Sequence, residues 1–424
     1  MTDRALLVLA SLFVLSYLLE VVGRRTKVPG VVLLIAAGMI TREILDRVGL
    51  ELGFVEVLLP VVGTIGLILI VLEGSLDLEL RRERALLIAR SSGAALAGFL
   101  VTLLVFAWMF GWLLEYDWST AVLAAMPFAV ISSAVAIPSA AGLPDNAREF
   151  VVYESSLSDI IGVLVFYAWL TAGGSTEQFL TDLLGGGALS LVAAVVSALG
   201  IFFLINRIEG HIRFVPLLAG LLLLYAAGKI LHLSPLILIL VCGLLLNNPR
   251  LLEWNAWLKS MHHPRYDTTL SEFKGPVAEL TFAVKSVFFI MLGYWTDVRE
   301  MADWRVWAIA MVMIAVIYAS RLGILGLLRV REPRRLVWLA PRGLITVLLF
   351  LTASETGRLV GFPFGTVMVV VLATALATGM SHRVPVAAGP ATPGAVAADD
   401  TPTIEDDTPA EADASGLSST ADRP

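Results

Sequence analysis

The chain has 424 residues, 58% of them hydrophobic and 16% charged, a formal net charge of −6, and one cysteine, Cys242. Soluble chains carry about 25% charged residues, so this composition excludes a soluble globular domain and a nucleic-acid binder and indicates a polytopic membrane protein. The single cysteine excludes an internal disulfide and a cysteine-based metal site.

Thirteen apolar stretches follow in chain order, at about 4–22, 28–41, 54–73, 85–110, 118–142, 150–172, 183–206, 212–231, 234–248, 275–296, 304–328, 335–353 and 361–381. Residues 1–22 run on into a full span with a charged exit and read as the first helix rather than a cleavable signal. Stretches 28–41 and 234–248 are short for a hydrocarbon core of ~30 Å. Short spans interrupted by Gly and Pro are typical of transporters. Alternate loops, starting with the first, hold eighteen Lys and Arg, whereas the opposite set, with the N-terminus, holds seven. The positive-inside rule then puts the N-terminus outside and, with an odd number of spans, the C-terminus in the cytoplasm of a bacterial or archaeal type of cell. Residues 384–424 carry eight acids and one arginine, Arg423, among Pro, Ala and Thr, which leaves the membrane body at +1. Such a segment cannot bury enough apolar surface to fold, and is expected as a disordered acidic cytoplasmic tail, solubilising or regulatory.

A short internal echo divides the body. Glu79-Leu80-Arg81 closes the third stretch and Asp297-Val298-Arg299 the tenth. With a third-to-tenth correspondence, residues 1–383 read as one transmembrane domain of two repeats, about 4–172 and 212–381, joined by a linker helix at 183–206. An offset of seven spans inverts one repeat relative to the other, and the fifth and twelfth stretches correspond as well.

The stretch that carries most of the chemistry is Tyr153 to Tyr167. It places Glu154 and Asp159 in an apolar helix, where a carboxylate is costly and marks a functional site by default. Ser155 and Asp159 lie four apart, so a hydroxyl and a carboxylate share one side of that helix. These are the oxygen ligands that hard cations take. The alternative is that both acids only hydrogen-bond neighbouring helices. In the fifth stretch, Pro127 and Pro138 bracket Ser132 and Ser133. This pattern fits either an unwound segment that frees carbonyls and hydroxyls at mid-membrane, or a kinked helix whose serines bond back to their own carbonyls. Glu73, Lys285 and Arg342 add charges on three further stretches. Because charges at this depth pair with one another, Glu73, Asp159, Lys285 and Arg342 are expected to face one interior. Arg321, nearer the end of its stretch, is expected to snorkel.

These residues resemble the monovalent cation/proton antiporter superfamily, the sodium/proton exchanger and NhaP-type group. Glu154-Ser155-Ser156-Leu157-Ser158-Asp159 is similar to that group's Glu-Ser-Leu-Leu-Asn-Asp element, Leu72-Glu73-Gly74-Ser75 to the acidic end of its third helix, and Ser132-Ser133-Ala134-Val135-Ala136 to its Thr-Asp-Pro-Val-Ala. The run from Leu280 to Phe289 resembles its basic tenth helix, and Pro341-Arg342-Gly343 its Arg-Gly element. The resemblance implies an all-α polytopic protein of about 13 helices, with two inverted-topology repeats, discontinuous helices, and dimerisation and core domains. It also implies a homodimer that exchanges a monovalent cation for protons, Na+ first and K+ or Li+ next, with no cofactor.

Carried onto this chain, the resemblance makes Asp159 the proton and cation carrier. Ser155, Glu73 and Ser132 complete the cation shell, and Ser158 and Ser133 are further candidates. Glu154 and Arg342 form a buried ion pair, and Lys285 stabilises the charge of the core. Ser158 departs from the group's Asn or Asp, and Ser133 from its frequent Asp. One titrating carboxylate at the Ser158-Asp159 step favours electroneutral, one-for-one exchange by alternating access. A channel-like K+ efflux system and an organic-anion transporter of the same architecture are the alternatives; the excess of acids at the site opposes the second. No His-Glu-x-x-His or other catalytic constellation occurs, which opposes an enzyme.

Overall fold

The computed structural model describes residues 2–384 except 27, 50–52, 81, 208–213, 232, 234, 252–264 and 331. The acidic tail beyond Val384 and the His262-His263 pair lie outside the described residues. Every described regular element is helical, because in a bilayer the backbone must satisfy its polar groups within its own segment. The principal helices are α1 (Thr2–Thr26), α2 (Gly30–Val48), α3 (Phe54–Asp77), α4 (Ala85–Leu113), α5 (Trp118–Ala129), α6 (Ser133–Ser139) and α7 (Asp145–Thr171). They continue as α8 (Gly187–Arg207), α9 (Phe214–Ile230), α10 (Pro235–Asn247), α11 (Arg265–Trp295), α12 (Trp304–Leu327), α13 (Leu344–Glu355) and α14 (Phe364–Ala377). Eight helical segments are long and apolar enough to cross a membrane, and four shorter ones are apolar over 10–17 residues.

Each of the thirteen apolar stretches has a helical counterpart, but two are broken. The fifth divides into α5 and α6 around an extended Val130–Ser132. In the twelfth, a single turn at Pro333–Leu336 precedes an extended segment that ends at Gly343, where α13 begins. Two other helices outrun their apolar cores. The end of α2 carries Arg42, Glu43, Asp46 and Arg47, with Arg47 on Glu43 at 3.0 Å one turn apart. An i, i+4 pair of this kind supports a solvated helix end that hydrophobicity alone does not register. Likewise α11 starts ten residues before the apolar stretch, with a polar first turn at Arg265.

Packing is tightest between α2 and α11, which cross at two glycines. A Cβ at Gly38 would run into the Ile290 carbonyl and the Gly293 Cα, and one at Gly293 into the Ile35 carbonyl. Small residues let apolar helices approach this closely where lipid supplies no hydrophobic drive for association. The third and tenth stretches are also neighbours, α3 packing along α11.

Because the obstructing atoms at that crossing are backbone, Gly38→Ala and Gly293→Ala should each cost about 1–3 kcal/mol. The measurement is the thermal unfolding midpoint of the detergent-purified protein, which should fall by several degrees. Gly98→Ala, where a Cβ meets open space, should leave it unchanged or raise it.

Candidate functional site

The two broken stretches meet. The Ser132 amide donates to the Pro341 carbonyl at 2.9 Å, so the two extended segments are joined directly. In an uninterrupted helix the amides of Ile131, Ser132 and Ser133 would bond to the carbonyls of Pro127, Phe128 and Ala129. All three are redirected. Ile131 N donates to Ser158 Oγ at 2.9 Å and Ser133 N to Asp159 Oδ2 at 3.0 Å, so α7 supplies two of the acceptors. Of the carbonyls left behind, that of Phe128 accepts from Arg342 Nε at 2.7 Å. A guanidinium at the C-terminal end of α5 and a carboxylate at the N-terminal end of α6 both match the dipoles of those helix ends. Pro127 remains helical within α5; the chain unwinds three residues later, where neighbouring elements supply these partners.

Two glycines let the segments close. A Cβ at Gly162, on α7, would strike the Val130 side chain, and one at Gly343 would strike Ser132 Oγ.

Asp159 is buried, 4% exposed, as are Ser132, Ser133, Ser155 and Ser158. Its carboxylate is engaged on one side only. Oδ2 is held by the Ser133 amide, whereas Oδ1 and the nearby Ser132 Oγ have no hydrogen-bond partner among the described residues. An unsatisfied buried oxygen costs about 1–3 kcal/mol, more for a charged group, so this half of the carboxylate is built to receive something. Ser155 donates its hydroxyl to the Val151 carbonyl of its own helix at 2.7 Å, which leaves its oxygen able to accept. The Ser158 hydroxyl accepts the Ile131 amide and so secures the break.

The charges expected to face one interior occupy three places. Asp159 stands at the crossing. Glu73, on α3, lies beside Thr281 and Lys285 of α11; α3 meets α7 next door, where Gly74 faces Ser156 Oγ. Arg342 borders a small cavity with Glu154 and Arg321, its Nη1 donating to the Ala340 carbonyl at 3.2 Å.

The expected pairing of Glu154 with Arg342 is incorrect. Glu154 is held in a bidentate fork by Arg321, Nη1 on Oε1 and Nη2 on Oε2, both at 2.8 Å. Arg321 Nε donates in addition to the Leu336 carbonyl at 2.8 Å. Nor does Arg321 snorkel: it is 6% exposed. The planar fork matches a carboxylate at both oxygens, and Arg342 is already committed to the end of α5. A signal was available in the sequence. Val306, Ala310, Met313, Ile317, Arg321 and Ile324 form the buried stripe of α12, spaced by three and four, so Arg321 falls on the inward face. Two other residues drew no attention as sequence. Glu20 and His382 line a cavity of about 460 Å³ together with Val135, Gly142, Lys285 and Thr378. Ala134 also lines it, one residue beyond the amide that holds Asp159.

With this geometry in hand, relatives can be compared. The family described as "Sodium/hydrogen exchanger, transmembrane" matches residues 9–388. Among curated proteins none matches. Of solved structures, the sodium proton antiporter MjNhaP1 from Methanocaldococcus jannaschii at pH 8 aligns with a TM-score of 0.69 at 18% identity, over 90% of this chain and 97% of that one. A three-dimensional electron-microscopy map of the same protein gives the same score and identity over 90% and 96%. At this identity the likeness concerns the fold.

Removing one partner of a buried pair strands the other charge, at about 3–5 kcal/mol. Glu154→Gln and Arg321→Met should each lower the unfolding midpoint and the yield, and the double variant should recover part of the loss. Glu154→Gln combined with Arg342→Met should show no such recovery. A double-mutant cycle on detergent-purified protein reads both.

Proposed function

The chain belongs to the sodium/hydrogen exchanger family, and on that premise we propose that it exchanges Na+ for H+ at Asp159, one for one, by alternating access. The observation that carries this reading is the half-engaged carboxylate at the crossing of two broken helices. Ser133 N fixes one oxygen of Asp159 and leaves the other open. A proton or a cation can occupy that oxygen, but not both at once, and this competition is the exchange. Ser132 and Ser155 stand close in the chain or on the same helix face and supply further oxygens for Na+ as substrate. Glu73, on the neighbouring α3, is a further carboxylate for the cation, and Ser133 a further hydroxyl. Hard oxygen donors of this kind suit Na+ and Li+, with K+ a poorer fit to a compact shell.

Coupling follows from electrostatics. With a proton or a cation aboard, the Asp159 site is neutralised; empty, it carries a bare charge whose passage through a closed barrier is costly. In this reading the neutralised site crosses by rigid-body motion of one bundle of helices against the other. The Lys and Arg bias supports an N-terminus outside and the Glu20 cavity on the cytoplasmic side. Ser158 is neutral and occupied by a backbone amide, so the crossing offers one titrating group per cycle, which supports electroneutral exchange. The excess of carboxylates over free cations at the site opposes an organic anion as cargo.

Asp159→Asn keeps the shape and removes the titrating oxygen. It should abolish cation-dependent proton flux in proteoliposomes while the protein still elutes as a single species, and persistent flux would overturn the assignment. One-for-one exchange moves no net charge, whereas two protons per cation would move one, worth about 2.3 kcal/mol per 100 mV. With the voltage clamped, the equilibrium should follow the Na+ and pH gradients alone. A balance point that shifts with voltage would point to Lys285 as a second proton carrier.

A further inference from the structure

The helix that holds Asp159 from outside α7 is the short α6, whose Ser133 amide donates to Asp159 Oδ2. In a helix of seven residues most backbone groups belong to the ends, where the first amides and last carbonyls have no partner within the helix. Away from water these groups must be taken up from outside. Pro138, inside α6, brings no amide to the Ala134 carbonyl and weakens the helix further. Packing does not make up the difference along its whole length. Ala134, Val135, Pro138 and Ser139 border the cavity of about 460 Å³, so one flank of α6 faces open space. The position of α6 therefore depends on what grips its two ends.

The inner end is gripped by Pro341, whose carbonyl accepts from Ser132, and by Asp159. At the outer end the Ser139 carbonyl is one of the acceptors a helix terminus leaves over. His382 Nε2 meets it at 2.9 Å. A carbonyl can only accept, so Nε2 carries the proton. Thr378, on the same last turn, donates to Ser139 Oγ at 3.0 Å. The fold also leaves room for the imidazole. A Cβ at Gly142 would stand 3.1 Å from His382 Cε1 and 3.3 Å from Nδ1, tighter than ordinary contact.

We propose that His382 is a positioning residue for exchange: it anchors the outer end of α6 and so holds the Ser133 amide, at the other end of the same helix, in place on Asp159. His382 does not touch the cation. With the anchor released, α6 shifts, and the open oxygen of Asp159 and the hydroxyls of Ser132 and Ser133 lose their common geometry. The inference rests on the exchange reading above.

The test is Na+-dependent proton flux in proteoliposomes. His382→Phe keeps a ring and removes the donor. Loss of a group that orients a metal ligand directly costs about 10–100-fold in affinity, and His382 acts through a helix, so the apparent KM for Na+ should rise about three- to tenfold. The maximal rate should stay unchanged. His382→Gln, which puts an N–H donor back at similar reach, should recover most of the affinity. His382→Ala repeats the measurement without a ring should the Phe variant not fold. An unchanged KM in these variants would overturn the proposal. So would a KM that rises as far in His382→Gln, since the hydrogen bond would then not be its cause, or a lower maximal rate with unchanged KM, which marks a purely structural role. Wild-type vesicles separate the two readings. If they show no flux with Na+, K+ or Li+, the exchange reading falls and this one with it; if they show flux while His382→Phe matches them, only the positioning role falls.

Discussion

The arrangement depends on the need of a broken backbone for partners where there is no water. Each unpaired amide or carbonyl in a low-dielectric interior costs a large fraction of a protein's net stability, so an unwound segment persists only if other groups take up what the helix releases. Here they do so one by one. Ser158 and Asp159 take two amides, Pro341 takes the third, and Arg342 takes a carbonyl. Two breaks that satisfy each other are cheaper than either alone. This is the physical reason for them to cross.

The same requirement separates a saturated charge from a half-engaged one. Glu154 and Arg321 are saturated, with both carboxylate oxygens and all three guanidinium nitrogens in use. Such a pair fixes α7 against α12 and has nothing left to offer a substrate. Asp159, five residues on from Glu154, is saturated on one oxygen only. Two acids on one helix thus differ because one meets a fork of donors at both oxygens and the other keeps an oxygen open.

Much of this was legible in the sequence. The hydrophobic runs give the helices and their order, since apolar length is what a bilayer selects. The paired prolines of the fifth stretch located its break to within a few residues. The break in the twelfth was less visible, since Leu339 to Leu344 contains no helix-breaking pattern stronger than Pro341 and Gly343, and its extended form depends on a partner nearly 210 residues away in the chain. The choice between Arg321 and Arg342 for Glu154 turned on which helix face each occupies. Distance from the end of a span, which suggested snorkelling, is a poorer guide than the three-four spacing that places Arg321 inward. The role of Ser158 could not be read from residue type, because a hydroxyl beside a carboxylate is equally suited to a cation or to an amide.

One further connection follows from the last turn of the described chain. Thr378 Oγ1 donates to Ser139 Oγ at 3.0 Å, His382 Nε2 meets the Ser139 carbonyl at 2.9 Å, and Arg335 Nε donates to the Val384 carbonyl at 2.9 Å. Ser139 ends α6, and Arg335 lies in the single turn before the second extended segment. Residues 378–384 therefore hold the outer parts of both broken stretches, while Ser132 and Pro341 join them at the centre. With the two segments tied at both levels, displacing one without the other would break hydrogen bonds in a medium that offers no replacements. The two broken stretches thus form one hydrogen-bonded body, to which the half-open carboxylate of Asp159 is fastened through the Ser133 amide.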